Sequence, residues 1–268
     1  MTQTILVTGS TDGIGLEAAK LLAADGHKLI LHGRSEAKLA AATQAVRDAA
    51  PTAEIGGEIA DLSDLDHVRS LAQRVSDGYG VLDVVINNAG VLRTGTPTPA
   101  GTIDVRFMVN TIAPYLLTRE LLPTVSPTGR VVNLSSAAQA PVDPAALTGS
   151  VQLDEQNAYA QSKLGLTMWS IQLGVDMGEH GPVIVAVNPG SLLATKMVKE
   201  GYGIAGHDIA IGAGILVRAA VGADFATATG TYFDNDAGRF ADPHPDALDS
   251  SKRKALIELV ETVIAEHP

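Results

Sequence analysis

The sequence predicts an α/β domain on a doubly wound, mostly parallel sheet of about seven strands with helices on both faces. Three observations carry that expectation. Short β-branched runs alternate along the chain with alanine-rich stretches of helical length. A glycine-rich turn, Thr8-Gly9-Ser10-Thr11-Asp12-Gly13-Ile14-Gly15, follows the first such run and opens the first helical stretch. No linker divides the 268 residues, so 1–268 reads as one domain.

Residues 4–8 form the first predicted strand, and 14–24 the helix that begins at the glycine turn. A second strand over 28–32 leads to a helix over 36–49, which Pro51 ends. Residues 54–60 are the third strand. The next helix, 64–77, has an aspartate at its start and Gly78 beyond its end. Residues 82–86 are the fourth strand. Pro97, Pro99 and Gly101 mark a loop before a long helix over 102–121, in which Pro114 predicts a kink. Later strands are expected at 130–134, 182–187 and 231–234, the last two strands running parallel, with a helix over 157–178 between the first two. The apolar spacing of Leu256, Leu259, Val260 and Val263 predicts a closing helix within 245–266.

Composition narrows the class. A formal charge of −11 argues against nucleic acid as a partner and is read as solubility. There are no cysteines, which excludes disulfides and thiolate metal sites. The seven histidines (His27, His32, His67, His180, His207, His244 and His267) show no zinc-ligand spacing, so no metal is expected. No apolar run approaches the ~20 residues of a membrane span. Met1-Thr2-Gln3-Thr4 runs directly into an apolar strand without a basic leader, which leads us to expect a cytoplasmic protein with no membrane partner. No Gly-x-Ser-x-Gly nucleophile elbow is present.

The chemistry concentrates in a few motifs. In the glycine turn, Gly9 permits the tight bend, Gly13 lets backbone approach a pyrophosphate, and Gly15 lets the helix pack on the strand. The helix start then offers unpaired N–H groups, including those of Ile14 and its neighbours, to phosphate oxygens. Far downstream stands Tyr159-Ala160-Gln161-Ser162-Lys163. Tyrosine is a weak acid with a pKa of about 10. A lysine four residues later on a helix lies about 5–6 Å away on the same face, and its ammonium favours phenolate. The buried run Val131-Val132-Asn133-Leu134 ends in two hydroxyls, Ser135 and Ser136.

With Asn87-Asn88-Ala89-Gly90, Asn110 and Asn188-Pro189-Gly190, these motifs resemble the short-chain dehydrogenase/reductase family, whose Rossmann-type fold binds a nicotinamide dinucleotide. The resemblance runs from about Thr4 to Thr195. It implies Tyr159 as general acid/base, Lys163 as the cation that lowers its pKa and bonds the nicotinamide ribose, and Ser136 as donor to the substrate oxygen. Asn110 would hold a water for a proton relay. Gly9, Ser10, Thr11, Asp12, Gly13, Ile14 and Gly15 would bind the cofactor phosphates. Asp61 and Leu62 would touch adenine, unless Asp61 instead caps a helix. Asn88, Ala89 and Gly90 would line the adenosine ribose, and Pro189 and Gly190 the nicotinamide. Thr195 stands one residue later than the family's carboxamide-binding threonine, so the Leu192 backbone is its competitor.

After the second strand, Gly33 stands where an NAD enzyme carries a carboxylate, and Arg34 and Ser35 could hold a 2′-phosphate. That favours NADP over NAD, although Asp12 pulls the other way. Between Ser136 and Tyr159 lie 22 residues, more than most members carry, which suggests an excursion at the active-site mouth and resembles the retinol-dehydrogenase-like branch. Three segments, 92–101, 137–155 and 191–207, are expected to shape the pocket; Leu92, Val142, Leu192, Leu193, Met197 and Ile204 suggest a small-molecule carbonyl or alcohol with an apolar body. The resemblance further implies a homodimer or homotetramer built on the helices of Asn110 and Tyr159, with Trp169 at the contact. A cofactor-sensing module without catalysis, or a redox-neutral lyase or epimerase, is the competing class on the same fold.

Overall fold

Strand β1 (Thr4–Val7) is buried on both sides because its side chains are apolar on both sides. Ile5 and Val7 face one core and Leu6 the other. The computed structural model describes residues 2–94, 99 and 101–267. The remaining strands are β2 (Lys28–Gly33), β3 (Ile55–Ile59), β4 (Leu82–Asn87), β5 (Val125–Leu134), β6 (Val183–Asn188), β7 (Thr231–Asp234) and β8 (Arg239–Phe240). They lie in the order β3-β2-β1-β4-β5-β6-β7-β8. Every pairing is parallel except that of β8, which runs antiparallel to β7.

The helices are α1 (Gly13–Ala24), α2 (Glu36–Ala49), α3 (Leu65–Tyr79), α4 (residues 105–121), α5 (Glu155–Met177), α6 (Lys196–Tyr202), α7 (Ile209–Val221) and α8 (Ser250–Glu266). Helices α1, α2 and α7 cover the face of Ile5, Leu29, Val84 and Val185. Helices α3, α4, α5 and α8 cover the face of Leu6, Ile30, Val85 and Ile184. The expected fold is therefore present, with one extra short strand.

Several expectations need correction. The helix expected over 102–121 starts at Val105, where Asp104 accepts the Arg106 N–H at 2.8 Å. It then widens into a π turn over Met108–Ile112 before continuing as Ala113–Leu121. Pro114 explains the change: it has no N–H for the α-helical bond to the Asn110 carbonyl. The closing helix breaks at Asp249, whose carboxylate caps α8 through Ser251 and Lys252. Helix α7 and strand β8 were not anticipated. α7 is apolar almost throughout, so it lacks the polar stripe by which a surface helix is recognised.

The 22-residue excursion is not a mouth loop. Its single helical turn, Pro144–Leu147, buries Ala146 and Leu147 in the core, and Val142 and Leu153 pack beside them. Two backbone bonds, Ala140 N–H to Ala160 O at 3.3 Å and Val151 N–H to Ala145 O at 3.0 Å, close it down.

Trp169 is likewise inside the chain. It is fully buried, donates to Thr111 O at 3.1 Å and meets the Tyr115 ring edge-on. Helix α8 packs beside this part of the chain. There Tyr115 donates to Glu261 at 2.5 Å, Arg119 pairs with the same carboxylate, and Arg69 of α3 donates to His267 O at 2.7 Å.

One glycine fixes how closely α5 approaches the sheet. A Cβ on Gly174 would stand 2.2 Å from Gly230 N and 2.6 Å from Gly230 Cα, both backbone atoms. Gly174→Ala should cost about 1–3 kcal/mol of stability, the usual penalty of an overpacked core. A lowered urea midpoint is the expected result, and an unchanged midpoint would contradict this packing.

Candidate active site

The chain leaves β1 toward β2 and β3 on one side and returns to β4 on the other. A crevice opens at that switch, outside the carboxyl ends of the two strands. The ends are held together by a polar latch. Thr8 Oγ1 accepts the N–H groups of Asn88 at 3.0 Å and Ala89 at 3.1 Å. Asn88 Nδ2 donates to Thr8 O at 2.8 Å and Gly9 O at 3.1 Å. Gly9 has φ +64°, and a Cβ there would meet Ala89 Cα at 2.8 Å, so no other residue fits without displacement.

A cavity of about 600 Å³ fills the crevice. On its β1–β2–β3 side lie Gly9, Thr11, Asp12, Gly13, Ile14, Arg34, Asp61, Leu62, Asn88, Ala89 and Gly90. Asp12 is exposed and caps α1 by accepting the Gly13 N–H at 2.8 Å, so its carboxylate occupies the helix start. Asp61 accepts both the N–H and the hydroxyl of Ser63, at 2.9 and 2.7 Å. Burial pushes its carboxyl pKa upward, but those two bonds and the nearby Arg34 charge outweigh burial and hold it below the usual range. At Gly33 an added Cβ would stand 2.4 Å from Thr11 Cγ2, so a side chain there must first displace Thr11.

The other end is lined by Ser136, Tyr159, Lys163, Pro189, Gly190, Leu192 and Thr195. Ser135 is buried against Thr167, hydroxyl to hydroxyl at 2.6 Å, whereas Ser136 is half-buried at the cavity. The Ser136 carbonyl is held by Gln139 Nε2 at 2.9 Å and the Tyr232 hydroxyl at 3.2 Å. Tyr159 and Lys163 lie one turn apart on α5, with Lys163 Nζ 5.8 Å from the phenol ring centre. Lys163 Nζ donates to Leu134 O at 2.6 Å. Its burial lowers its pKa to about 8, so it remains mainly protonated at neutral pH.

Four anticipated residues stand behind the cavity instead of lining it. Ser10 is buried and accepts the His32 N–H at 2.9 Å. Gly15 lets α1 close on Asn88, whose Nδ2 would lie 2.4 Å from an added Cβ. Ser35 starts α2 without a side-chain cap bond. Asn110 is fully buried, and its amide is committed to Val91 N–H at 2.8 Å, Val91 O at 2.9 Å and Ser162 Oγ at 2.9 Å. Its side chain therefore braces the segment after β4. Thr195 caps α6 by accepting the Val198 N–H at 3.2 Å, and the Leu192 carbonyl is taken by His207 N–H at 2.7 Å. Leu192 also carries φ 53°, a strained value for a branched side chain.

Sequence reasoning missed His32 and Lys38, which both line the cavity; Lys196 and Val198 line it within the expected segment 191–207, without having been singled out. Lys38 stands in the first turn of α2, four residues after Arg34. Of the three segments expected to shape the pocket, the first (92–101) contributes Leu92, and its residues 95–98 and 100 lie outside the described residues. The middle one contributes only Ala137 and Ala138, because its apolar side chains went to the core. The third contributes Leu193 and Met197, whereas Val142 and Ile204 lie elsewhere.

Known proteins are similar to this chain in sequence and fold. Residues 3–202 match the family model of the short chain dehydrogenases. Human retinol dehydrogenase 13 is 30% identical over 200 residues, covering 70% of this chain and 58% of its own length. The chain thus spans under two thirds of that relative. Ketoacyl reductase HetN of Nostoc is 31% identical over 205 residues, covering 74% of this chain and 66% of its own. Among solved structures, a short chain dehydrogenase from Burkholderia cenocepacia in complex with NADP superposes with TM-score 0.68 at 26% identity, covering 87% of this chain and 95% of that one. The chain belongs to the short-chain dehydrogenase/reductase family, near its retinol-dehydrogenase-like branch. Among the described residues, no helix is long and apolar enough to cross a membrane.

Burying an ammonium costs stability that a structural residue would not forfeit. The folded pKa of Lys163 lies below its free value of 10.5, so the native state holds fewer protons between about 8 and 10.5. The cost is therefore full below about pH 8 and is relieved as pH rises through that window. Lys163→Met should raise the melting temperature at neutral pH, with the gain shrinking at high pH. A lower melting temperature at neutral pH would contradict this reading.

Proposed function

We propose that the protein is an NADP(H)-preferring oxidoreductase that interconverts a carbonyl and an alcohol. The observation that carries this is the meeting of Ser136, Tyr159 and Lys163 with the Gly9–Ile14 turn and Arg34 on one cavity. The cavity also fits a dinucleotide in shape: Gly9 and Gly13 have positive φ, and Gly13 leaves open space that only Thr195 Cγ2, 3.9 Å from an added Cβ, approaches. Gly13 and Ile14 at the start of α1 would hold the pyrophosphate. Asn88, Ala89 and Gly90 would flank the ribose, and Pro189, Gly190 and Leu192 the nicotinamide. When bound, the cofactor supplies hydride chemistry; the chain supplies orientation and proton control.

Tyr159 gives a proton to the substrate oxygen in reduction and takes it back in oxidation. The buried Lys163 charge favours the phenolate, and Ser136 donates to the same oxygen as negative charge gathers there. Asn110 acts on this site through Val91 and not by touching substrate. The substrate end is walled by Leu92, Leu193, Met197 and Val198, which suits an apolar body next to the reacting carbon. The names of two relatives, a retinol dehydrogenase and a ketoacyl reductase, support a carbonyl–alcohol couple.

The preference for NADP rests on Arg34 and Lys38, both on the cavity wall, and on Gly33, where Thr11 fills the place of an NAD-type carboxylate. Arg34→Ala should weaken NADPH binding by about 10- to 100-fold, the worth of one charge-assisted hydrogen bond, and NADH binding far less. Calorimetric titration of both nucleotides measures this. Equal losses would show that Arg34 does not read the phosphate.

Tyr159→Phe should leave fold and cofactor affinity nearly intact and cut turnover by at least ~10²-fold. The assay is oxidation of NADPH over a panel of apolar aldehydes and ketones, with NADH in parallel. Turnover close to wild type would remove Tyr159 from the mechanism. Substrate conversion without stoichiometric NADPH loss would point instead to redox-neutral chemistry.

A further inference from the structure

We propose that His32 is a positioning residue for the cofactor, holding the glycine turn and the end of β3 at one fixed separation across the nucleotide side of the cleft. The inference rests on the reading of that cleft as an NADP(H) site. His32 is 3% exposed near the end of β2, yet it reaches the cavity wall. Its Nδ1 accepts the Gly9 N–H at 3.1 Å, and its Nε2 lies 3.1 Å from Ala60 O. Its backbone is tied to Ser10 as well: His32 N–H donates to Ser10 Oγ at 2.9 Å, and Ser10 N–H donates to His32 O at 3.0 Å.

These partners dictate the state of the ring. A backbone N–H only donates, so Nδ1 must carry a lone pair. A carbonyl only accepts, so Nε2 must carry the hydrogen. One neutral tautomer therefore joins β1, β2 and β3 at their carboxyl ends. Gly9 is already pressed against Ala89 on its far side, and Ala60 leads directly into Asp61 and Leu62 on the cavity wall. The ring thus sets the distance between the turn that would hold phosphate and the wall that would hold adenine. A histidine that merely filled the core would not need both nitrogens directed to these two backbone groups.

Protonation would set two N–H groups face to face at Gly9. Burial opposes it most strongly and lowers the ring pKa to about 4. Around the ring, Glu58 on β3 and Asp61 after it favour the charged form, and Arg74 on α3 disfavours it. Because the folded pKa lies below 6.5, the unfolded chain binds more protons between 6.5 and about 4, and the fold loses stability as pH falls through that range.

Two isosteres separate the two ring bonds. In His32→Asn the amide oxygen stands near the place of Nδ1 and can still accept from Gly9. In His32→Gln the amide nitrogen reaches toward Ala60 O and the Gly9 bond is lost. Fluorescence titration with NADPH at neutral pH should give a Kd raised about tenfold in H32Q and largely restored in H32N, with kcat at saturating NADPH little changed in either. A wild-type Kd in H32Q, or equal losses in both variants, would overturn the proposal while leaving the cofactor reading in place. Wild-type protein that binds neither NADPH nor NADH would remove that reading and this inference with it. Should H32Q fail to fold, melting temperatures of wild type and H32N carry the test. The wild-type value should fall more steeply as pH drops from 6.5 toward about 4, and parallel curves would count against the locked ring.

Discussion

The architecture of the site depends on how the carboxyl ends of β1 and β4 touch. Thr8, Gly9, Asn88 and Ala89 satisfy one another's backbone groups there, and the glycine permits a contact that a Cβ would close at 2.8 Å. Buried backbone groups must find partners, and at a switch point the sheet ladder supplies none. The latch supplies them. It also holds the crevice open at a constant width, because the strands on either side diverge from a fixed point. β2 and β3 then present Arg34, Asp61 and Leu62 to one side, and β5 and β6 present Ser136 and the Asn188–Leu192 segment to the other.

A second polar system secures the substrate side. Arg106 is 3% exposed and bonds both Asp104 oxygens, Leu92 O at 2.6 Å and Glu155 at 2.5 Å. It ties the segment after β4 and the start of α4 to the first turn of α5, the helix of Tyr159 and Lys163. Buried ion pairs add little net stability compared with apolar packing. Their value here is register: Arg106 or Asp104 left alone would be a buried charge without compensation. Beneath them, Asn87 donates to Asn133 at 2.8 Å and Thr118 at 2.9 Å, and Asn133 to Ser170 at 2.9 Å. Asn87, the last residue of β4, is therefore scaffold. Turning from β7, Asp236 accepts from Ser191 N–H at 2.8 Å, Ser191 Oγ at 2.6 Å and Asn188 Nδ2 at 2.9 Å, which supports the loop opposite Ser136.

Most of this fold was legible because parallel strands buried on both faces read as continuous apolar runs, and their helices start and stop at capping residues. Helix α7 escaped because it lacks a polar stripe, and β8 because two residues carry no period. The serine, tyrosine and lysine were legible as a spaced set, and all three line the cavity. Asn110 was legible as a residue of interest but not in its contacts: its amide serves Val91, and only the three-dimensional path of the π turn reveals that. The excursion before Tyr159 misled because its length suggested a mouth loop, while its Ala146 and Leu147 had an apolar surface to bury. Trp169 misled for the same reason, its partners being Thr111 and Tyr115 on α4 of the same chain. His32 was invisible as a strut, since nothing local tells a core histidine from one bonded across three strands.

The central claim is that one crevice holds both the nucleotide and the reacting groups. A crystal structure of the protein grown with NADPH tests it most directly. The account predicts the pyrophosphate at the Gly13–Ile14 end of α1, the 2′-phosphate beside Arg34 and Lys38, and the nicotinamide between Tyr159 and the Pro189–Leu192 segment. Nucleotide density on another surface, or a nicotinamide directed away from Tyr159 and Ser136, would contradict it.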